Sequence, residues 1–216
     1  MCARYSITKE EITLIIGEIE VVIKIQARYN IAPKQKVPVV VPDPKHGFAA
    51  VEMEWGWQPV WSKTLLINAQ AETIQEKPTF KKFINQRCLI PADGFYEWTA
   101  DKTPIRFTKK KDEPFSIAGL WYEKITNPED VEIKDKKFIL LTTTPNETVG
   151  KFHNRMPFIV QGGHYGWWFD ETMYKTVLGI PDREELNYCP VQRELNNVRN
   201  EGAELIRPAM ERKGLF

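Results

Sequence analysis

Residues 88–98, CLIPADGFYEW, decide the fold. They predict two strands, Cys88–Pro91 and Gly94–Trp98, because apolar and aromatic residues flank a Pro-Ala-Asp-Gly turn. Alternation along the second strand places Glu97 on the face opposite Tyr96 and Trp98. The chain is therefore expected to be built from short strands, and similar patterns occur on both sides of this stretch.

Short strand and helix patterns alternate along the remainder. The expected strands are Val37–Val41 near a sheet edge, Phe48–Trp57, Ile105–Thr108 paired as a hairpin with Phe115–Trp121, Lys137–Thr144, Phe158–Val160 and Tyr188–Val191. The expected helices cover residues 8–16, 72–83 and 170–178, with a helical turn at 183–186. Together they predict an α+β fold: one domain over residues 1–216, with a largely antiparallel sheet or a partly open β-barrel and flanking helices.

Composition narrows the class of protein. Of the 216 residues, 42% are hydrophobic and 27% charged, as in ordinary globular proteins. A formal net charge of +1 argues against a general polyanion binder, although it permits one basic face. Cys2, Cys88 and Cys189 form no closely spaced pattern, which argues against a disulfide framework and favours a reducing compartment.

Metal and membrane signals are absent from the sequence. It contains three His and neither a CxxC nor an HxxxH spacing, so we expect no metal site and no cofactor. The apolar segment Ile12–Ile25 is interrupted by charges and is too short to span a bilayer. No signal peptide is visible, and we expect a cytoplasmic monomer.

Cys2 offers unusual chemistry if Met1 is removed. The residue then carries an α-amine and a thiol on adjacent carbons, with ordinary pKa values of roughly 8 and about 8.5. An aldehyde can form an imine with the amine, and the thiol can then close a thiazolidine ring with the high effective molarity of an intramolecular step. The ordinary alternative is a small side chain at a frayed terminus.

Three polar side chains could assist Cys2. Asn68 follows an apolar run, Glu97 lies between aromatics, and His153 follows the strongest predicted strand. Singly they are explained as a helix cap, a solvated or ion-paired acid and a surface histidine. Together they can assist the reaction: the carboxylate can accept the amine proton, the imidazole can donate a proton to the departing hydroxyl, and the amide can hydrogen-bond to the sugar oxygens.

Several motifs, in order, resemble those of the SRAP (SOS response-associated peptidase) family across essentially the whole chain. They are residues 1–5 (MCARY), 28–33 (RYNIAP), Trp55-Gly56 with Pro59 and Trp61, 67–73 (INAQAET), 87–98 (RCLIPADGFYEW), 153–157 (HNRMP), 190–191 (PV) and 197–206 (NVRNEGAELI). The resemblance implies a protein that processes abasic sites in single-stranded DNA, forming a covalent thiazolidine crosslink that shields the lesion. Cys2 would be the covalent residue, Glu97 would deprotonate the amine, Asn68 would orient the sugar, and His153 would act as acid and base.

The resemblance also implies a DNA-contacting surface. Its residues would be Arg4, Asn30, Pro33, Trp61, Gln70, Thr142 and Arg155. Lys77, Lys81, Lys82 and Arg87 can extend it as a basic face, or can be ordinary solvated residues. The protein would then be nucleoid-associated when bound.

Three positions depart from the family pattern. Ala3 stands where Gly is usual, Gln70 replaces a common Arg, and Asn154 replaces the usual Asp beside His153. The loss of an arginine at position 70 predicts weaker DNA binding.

Two other functions stay open from the sequence. The first is a thiol peptidase with Cys2 as nucleophile and His153 as base, with an activity that can be limited to removing Met1. The second is a non-covalent reader of damaged or modified DNA in which Cys2 is incidental.

Overall fold

The computed structural model describes residues 2–125 and 134–209. The strands in these ranges are β1 (Tyr5–Ile7), β2 (Glu11–Ile16), β3 (Ile19–Lys24), β4 (Arg28–Ile31), β5 (Lys36–Asp43), β6 (Gly47–Trp55), β7 (Asn68–Gln70), β8 (Arg87–Ala92), β9 (Gly94–Trp98), β10 (Pro104–Thr108), β11 (Phe115–Ile125), β12 (Lys134–Thr143), β13 (Met156–Pro157), β14 (Ile159–Val160) and β15 (Asn187–Pro190). The helices are short: α1 (Pro78–Lys81), α2 (Glu147–Gly150), α3 (Tyr165–Phe169) and α4 (Tyr174–Gly179). The protein is therefore mostly β with a few short helices.

Five strands close a small barrel. In order they are β12, β6, β5, β8 and β11, and the ring closes because β11 pairs with both β8 and β12. Pairing within the ring is antiparallel except between β12 and β6. Side chains such as Val39, Leu89 and Leu140 are fully buried in the core. The prediction of a largely antiparallel sheet or a partly open β-barrel is confirmed in its barrel form, and the ring is closed by the pairing of β11 with β12.

A second, antiparallel sheet packs beside the barrel and carries the start of the chain. Its order is β15, β10, β9, β1 and β4. The stretch 88–98 joins the two sheets, since β8 belongs to the barrel and β9 to the second sheet. Tyr5 pairs with Phe95, and the Tyr96 N–H donates to the Arg4 carbonyl at 3.1 Å, so residues 2–4 run alongside Glu97.

The turn between β8 and β9 fixes this arrangement. Asp93 is buried and accepts hydrogen bonds from Ser6 Oγ at 2.8 Å, Thr8 Oγ1 at 2.7 Å and Arg106 Nη2 at 3.1 Å. Gly94 is needed because a Cβ there would lie 2.8 Å from Arg106 Nε and 2.9 Å from Ser6 Oγ. A buried carboxylate and a glycine thus seat β1 against β9.

The helix predicted for residues 8–16 is wrong. β2 and β3 form a hairpin that turns at Gly17, whose φ is 61°. Ile12, Leu14 and Ile16 are buried while Ile15 is 54% exposed, which is the two-residue period of a strand. The burial of Ile12 and Ile16 fits the period of a helix as well as that of a strand. The burial of Leu14 is what distinguishes the strand from the helix.

Four further expectations need correction. Ile105–Thr108 and Phe115–Trp121 do not pair, because β10 lies between β9 and β15 while β11 belongs to the barrel. Val37–Val41 is not at a sheet edge, since β5 pairs with both β6 and β8. The helix expected over 72–83 is reduced to a 3₁₀ turn at Ala71–Thr73 and to α1, and residues 183–186 form no helical turn.

The strands expected at 37–41, 48–57, 137–144, 158–160 and 188–191 are confirmed as β5, β6, β12, β14 and β15, with bounds shifted by one to three residues. The helix expected at 170–178 is the later-starting α4. None of the helices in residues 2–125 and 134–209 is long and apolar enough to cross a bilayer.

Candidate functional site

Cys2 lies buried between the strands that carry Asn68 and Glu97. Its Sγ–H donates to the Arg4 carbonyl at 3.4 Å, and its own carbonyl accepts from Asn68 Nδ2 at 2.8 Å. Asn68 begins β7, which runs parallel to β12 at Leu140–Thr142. The chain's start is therefore fixed from one side by a side-chain amide.

Glu97 approaches Cys2 from the other side. It is only 2% exposed and faces away from Tyr96, whose ring packs with a separate cluster around Leu195, as the alternation predicted. Burial raises the pKa of the Glu97 carboxyl to about 7. Burial, and then the charge of Glu97, raise the pKa of the Cys2 thiol far above its usual range. At neutral pH the thiol keeps its proton, whereas the carboxyl can readily exchange one.

His153 completes the group. Its Nε2 lies 3.9 Å from Glu97 Oε2, and burial lowers the pKa of the imidazole. Its Nδ1 lies 3.0 Å from the Arg155 N–H and 3.1 Å from the Arg155 carbonyl. Because a donor and an acceptor both face Nδ1, either protonation state of that nitrogen has a partner. Nε2 can therefore gain or lose a proton with the ring held in place.

The loop that carries His153 is itself well fixed. Asn146 caps α2 by accepting from the Val149 N–H at 3.0 Å, and the His153 N–H donates to the Val149 carbonyl at 2.9 Å.

The site also contains an unused hydrogen-bond acceptor, Asn68 Oδ1. This oxygen is buried and has no hydrogen-bond partner among the described residues. This acceptor is available for a hydroxyl of a bound molecule.

Arg4 and Asn30 face the end of the chain. Arg4 Nη1 donates to Asn30 Oδ1 at 2.8 Å and to the Leu195 carbonyl at 2.9 Å. Asn30 is fully buried, and its Nδ2 lies within hydrogen-bond reach of the carbonyls of Leu195, Asn197 and Asn200. The Asn30 side chain is therefore not presented to solvent.

Arg155 and Thr142 are also engaged within the protein. Arg155 donates to both carboxylate oxygens of Glu72, at 3.0 and 2.8 Å, and to the Thr142 carbonyl at 2.6 Å. Thr142 is 1% exposed. Glu72 was not among the residues expected at the site, and its place in the motif at residues 67–73 is the only sequence signal for it.

The other residues expected to contact DNA lie on the surface. Trp61 is 64% exposed in the loop before β7, Gln70 is exposed at the end of β7, and Pro33 is half-buried after β4. Arg87 does not extend a basic face, because it is buried and donates to the carbonyls of Ile84, Trp168 and Phe169. In the described part of the chain, no three His, Cys, Asp or Glu side chains gather as metal ligands.

Comparison with known proteins finds a matching family, several relatives and solved structures with the same fold. The family model described as SOS response associated peptidase (SRAP) matches residues 1–198. The abasic site processing protein YoqW of Bacillus subtilis (strain 168) is 34% identical over 193 residues, covering 82% of this chain and 84% of that protein. The abasic site processing protein YedK of Escherichia coli (strain K12) is 27% identical, covering 96% and 100%. A crystal structure of a protein from Bacteroides thetaiotaomicron shares the fold, with a TM-score of 0.76 at 20% identity, covering 97% of this chain and all of that one.

Proposed function

The chain belongs to the SOS response-associated peptidase family, and from that premise we propose that it traps abasic sites in single-stranded DNA as a covalent thiazolidine. The single observation that carries the proposal is the convergence of Asn68, Glu97 and His153 on Cys2. Met1 lies outside the described residues, and its removal is part of the proposal.

The first step forms an imine. Glu97 accepts a proton from the Cys2 ammonium, and the free amine attacks the C1′ aldehyde carbon of the ring-opened sugar. The proton that Glu97 has accepted then passes through His153 Nε2 to the hydroxyl of the resulting carbinolamine, which leaves as water to give an iminium. Loss of the iminium N–H proton to the Glu97 carboxylate gives the imine. A carboxyl group with a pKa of about 7 suits this transfer, because efficient general bases have pKa values near the working pH.

The second step closes the ring. The Cys2 sulfur attacks the imine carbon, a carbon–sulfur bond forms, and the thiol proton ends on the former imine nitrogen. The balance is one aldehyde and one aminothiol giving one thiazolidine and one water, with no change of oxidation state. A thiol with a raised pKa can still react here because the attack is intramolecular.

Asn68 serves both partners of the reaction. Its Nδ2 holds the Cys2 carbonyl at 2.8 Å, and its buried Oδ1 can accept a hydrogen bond from a sugar hydroxyl. We assign the flanking DNA to Arg4, Pro33, Trp61 and Gln70, where the exposed indole of Trp61 can stack on an unpaired base. The buried Asn30 and Thr142 act through Arg4 and Arg155, the arginines that they hold.

The family description supports a second candidate, a thiol peptidase whose activity is limited to removing Met1. A peptidase needs a thiolate nucleophile, and the raised pKa of the Cys2 thiol disfavours one in the buried state. Autoprocessing would also yield the amine that the crosslink requires, so the two activities are compatible.

The test is the intact mass of the protein after incubation with single-stranded DNA that carries one abasic site. We expect a heat-stable adduct of protein plus DNA minus one water. Cys2→Ser keeps the amine and should form only an imine, which borohydride can trap. Cys189→Ala is the matched control, because it removes a thiol that has no adjacent amine.

Three outcomes would contradict the proposal. A heat-stable adduct that forms in Cys2→Ala without borohydride would exclude the Cys2 thiol from the crosslink. Turnover of a peptide panel without any adduct would favour the peptidase. Binding that is unaffected by Cys2→Ala, with no adduct in the parent protein, would leave a non-covalent reader.

A further inference from the structure

An ion pair spans the end of β12. Glu72 Oε1 accepts from Arg155 Nη1 at 3.0 Å, and Glu72 Oε2 accepts from Arg155 Nη2 at 2.8 Å. Thr142 of β12 pairs with Gln70 of β7 on one side and with Pro157 of β13 on the other. Glu72 follows β7 by two residues and Arg155 precedes β13, so the ion pair ties the two flanking strands together.

The ion pair belongs to a network. Glu72 Oε1 also accepts from Thr143 Oγ1 and from the Thr144 N–H, both at 3.2 Å, while Arg155 Nη2 donates to the Thr142 carbonyl at 2.6 Å. The Arg155 side chain is only 14% exposed. Although partial burial opposes it, hydrogen bonding from Arg155 lowers the pKa of Glu72, which keeps the carboxylate ionised. A bidentate arginine–carboxylate ion pair with additional hydrogen bonds holds its geometry better than an isolated surface ion pair.

Both ends of this network lead into the candidate site. At one end, the backbone N–H and carbonyl of Arg155 face His153 Nδ1, whose ring presents Nε2 to Glu97. At the other end, β7 begins with Asn68, which holds Cys2. We infer that Glu72 is a positioning residue: through Arg155 it holds His153 and Asn68 at a fixed separation around Cys2.

The inference rests on the proposed function and changes the expected role of Arg155. The family resemblance makes Arg155 a DNA contact, but both of its terminal nitrogens already bind Glu72. If Arg155 chiefly bound phosphate, Glu72 would compete with DNA, and its removal would tighten binding. If Glu72 positions His153, its removal slows the chemistry and leaves DNA affinity alone. The two roles therefore predict changes in different quantities, the DNA affinity in the first case and the crosslinking rate in the second.

The experiment replaces Glu72 with Gln and measures three quantities. The first is the crosslinking rate at saturating abasic single-stranded DNA, which we expect to fall about tenfold or more, since a misplacement of about 1 Å can cost two orders of magnitude. The second is the affinity for the same DNA in a Cys2→Ala background, with its salt dependence, which we expect to be unchanged. The third is the titration of His153 by NMR in the free protein, where we expect a higher pKa as the ring becomes more hydrated.

Two further variants complete the design. Arg155→Lys keeps the charge but loses the planar fork, so we expect the same slower crosslinking with an unchanged salt dependence. Glu76→Gln is the matched control, because Glu76 is exposed and lies four residues after Glu72 on the same connection. It should behave as the parent protein. Thermal unfolding of each variant shows whether it is folded.

The inference is overturned if Glu72→Gln binds DNA more tightly with a steeper salt dependence while the saturated rate stays unchanged. It is also overturned if neither the rate nor the His153 titration moves. A parent protein that forms no adduct would instead contradict the proposed function. The His153 titration needs no DNA, so it tests the positioning role in either case.

Discussion

Glu97 sets the pH dependence of the proposed chemistry. Its carboxyl has a pKa raised to about 7 by burial, and the amine can attack only after the carboxylate has accepted a proton. The crosslinking rate of the parent protein should therefore rise as pH increases through about 7. Glu97→Gln should be slower by about 100-fold, the usual lower bound for loss of a general base, and should lose this inflection. Single-turnover rates between pH 5.5 and 8.5 test both points. An inflection that persists in Glu97→Gln would assign it to another group.

The same raised pKa carries a cost in stability. A carboxyl whose pKa is raised by folding holds its proton more tightly in the folded state, so it supports the fold only while protonated. That support is lost as pH rises from the ordinary value of 4.5 to about 7. A shift of this size corresponds to about 3 kcal/mol. Glu97→Gln should thus unfold at higher urea concentration than the parent protein at pH 8, with little difference at pH 4.5. The matched change Glu113→Gln, at an exposed acid, should shift neither midpoint. Equal urea midpoints for the parent protein and Glu97→Gln at pH 8 would show that the ionised Glu97 carboxylate does not destabilise the fold.

At the scale of elements, the register between β1 and β9 decides where Cys2 lies, and Asp93 maintains it. Its carboxylate accepts hydrogen bonds from Ser6, Thr8, Lys9 and Arg106. Asp93→Asn would leave the largely buried Arg106 without its charge partner, a change that typically costs 3–5 kcal/mol. We expect a loss of about 3 kcal/mol in the free energy of unfolding, measured in urea, together with slower crosslinking. Asp112→Asn, at an exposed acid between β10 and β11, is the control and should change stability little. A fully stable Asp93→Asn would mean that backbone pairing alone seats β1.

The elements also show what a sequence can and cannot predict. β8 and β9 were predictable because Cys88–Trp98 combines apolar runs with a turn that needs Gly94. The β2–β3 hairpin was not, because Ile12 and Ile16 suit a helix as well as a strand and only the burial of Leu14 separates them. Strand partners were harder still: the alternation in β10 and β11 identifies strands without saying which neighbours they choose.

For the candidate site, Cys2, Asn68, Glu97 and His153 were identified through motifs, and the structure brings them together. The contact between Glu72 and Arg155 joins residues 83 positions apart, so no local pattern reveals it. Asn30 shows the same limit. Its position suggested a surface contact, whereas its amide is buried against the carbonyls of a segment 165 or more residues later.

At the scale of the whole molecule, the described segment that follows β15 packs against the strands at the start of the chain. Val191, Leu195 and Leu205 pack with Tyr96 in a separate apolar cluster on the far side of β9 from Glu97. Asn30 connects this segment to β4, and Arg4 connects it to the residues beside Cys2. The described residues after β15 therefore act as a support beneath the candidate site rather than as a tail.

This arrangement gives Asn30 a role that can be separated from DNA binding. Asn30→Ala would remove the donor shared by the carbonyls of Leu195, Asn197 and Asn200 and the acceptor of Arg4. Because the amide nitrogen carries only two hydrogens, Asn30 makes about three full hydrogen bonds in all. Each lost buried hydrogen bond typically costs about 1 kcal/mol, so the free energy of unfolding should fall by about 3 kcal/mol. Crosslinking should slow because Arg4 and Cys2 lose their support, while the salt dependence of DNA binding should stay close to that of the parent protein, since Asn30 itself makes no phosphate contact and the Arg4 guanidinium keeps its charge. Asn187→Ala, at an exposed asparagine in β15, is the control. The opposite pattern, full stability with weaker and less salt-dependent binding, would show that Asn30 reaches DNA and that the C-terminal segment moves aside to let it.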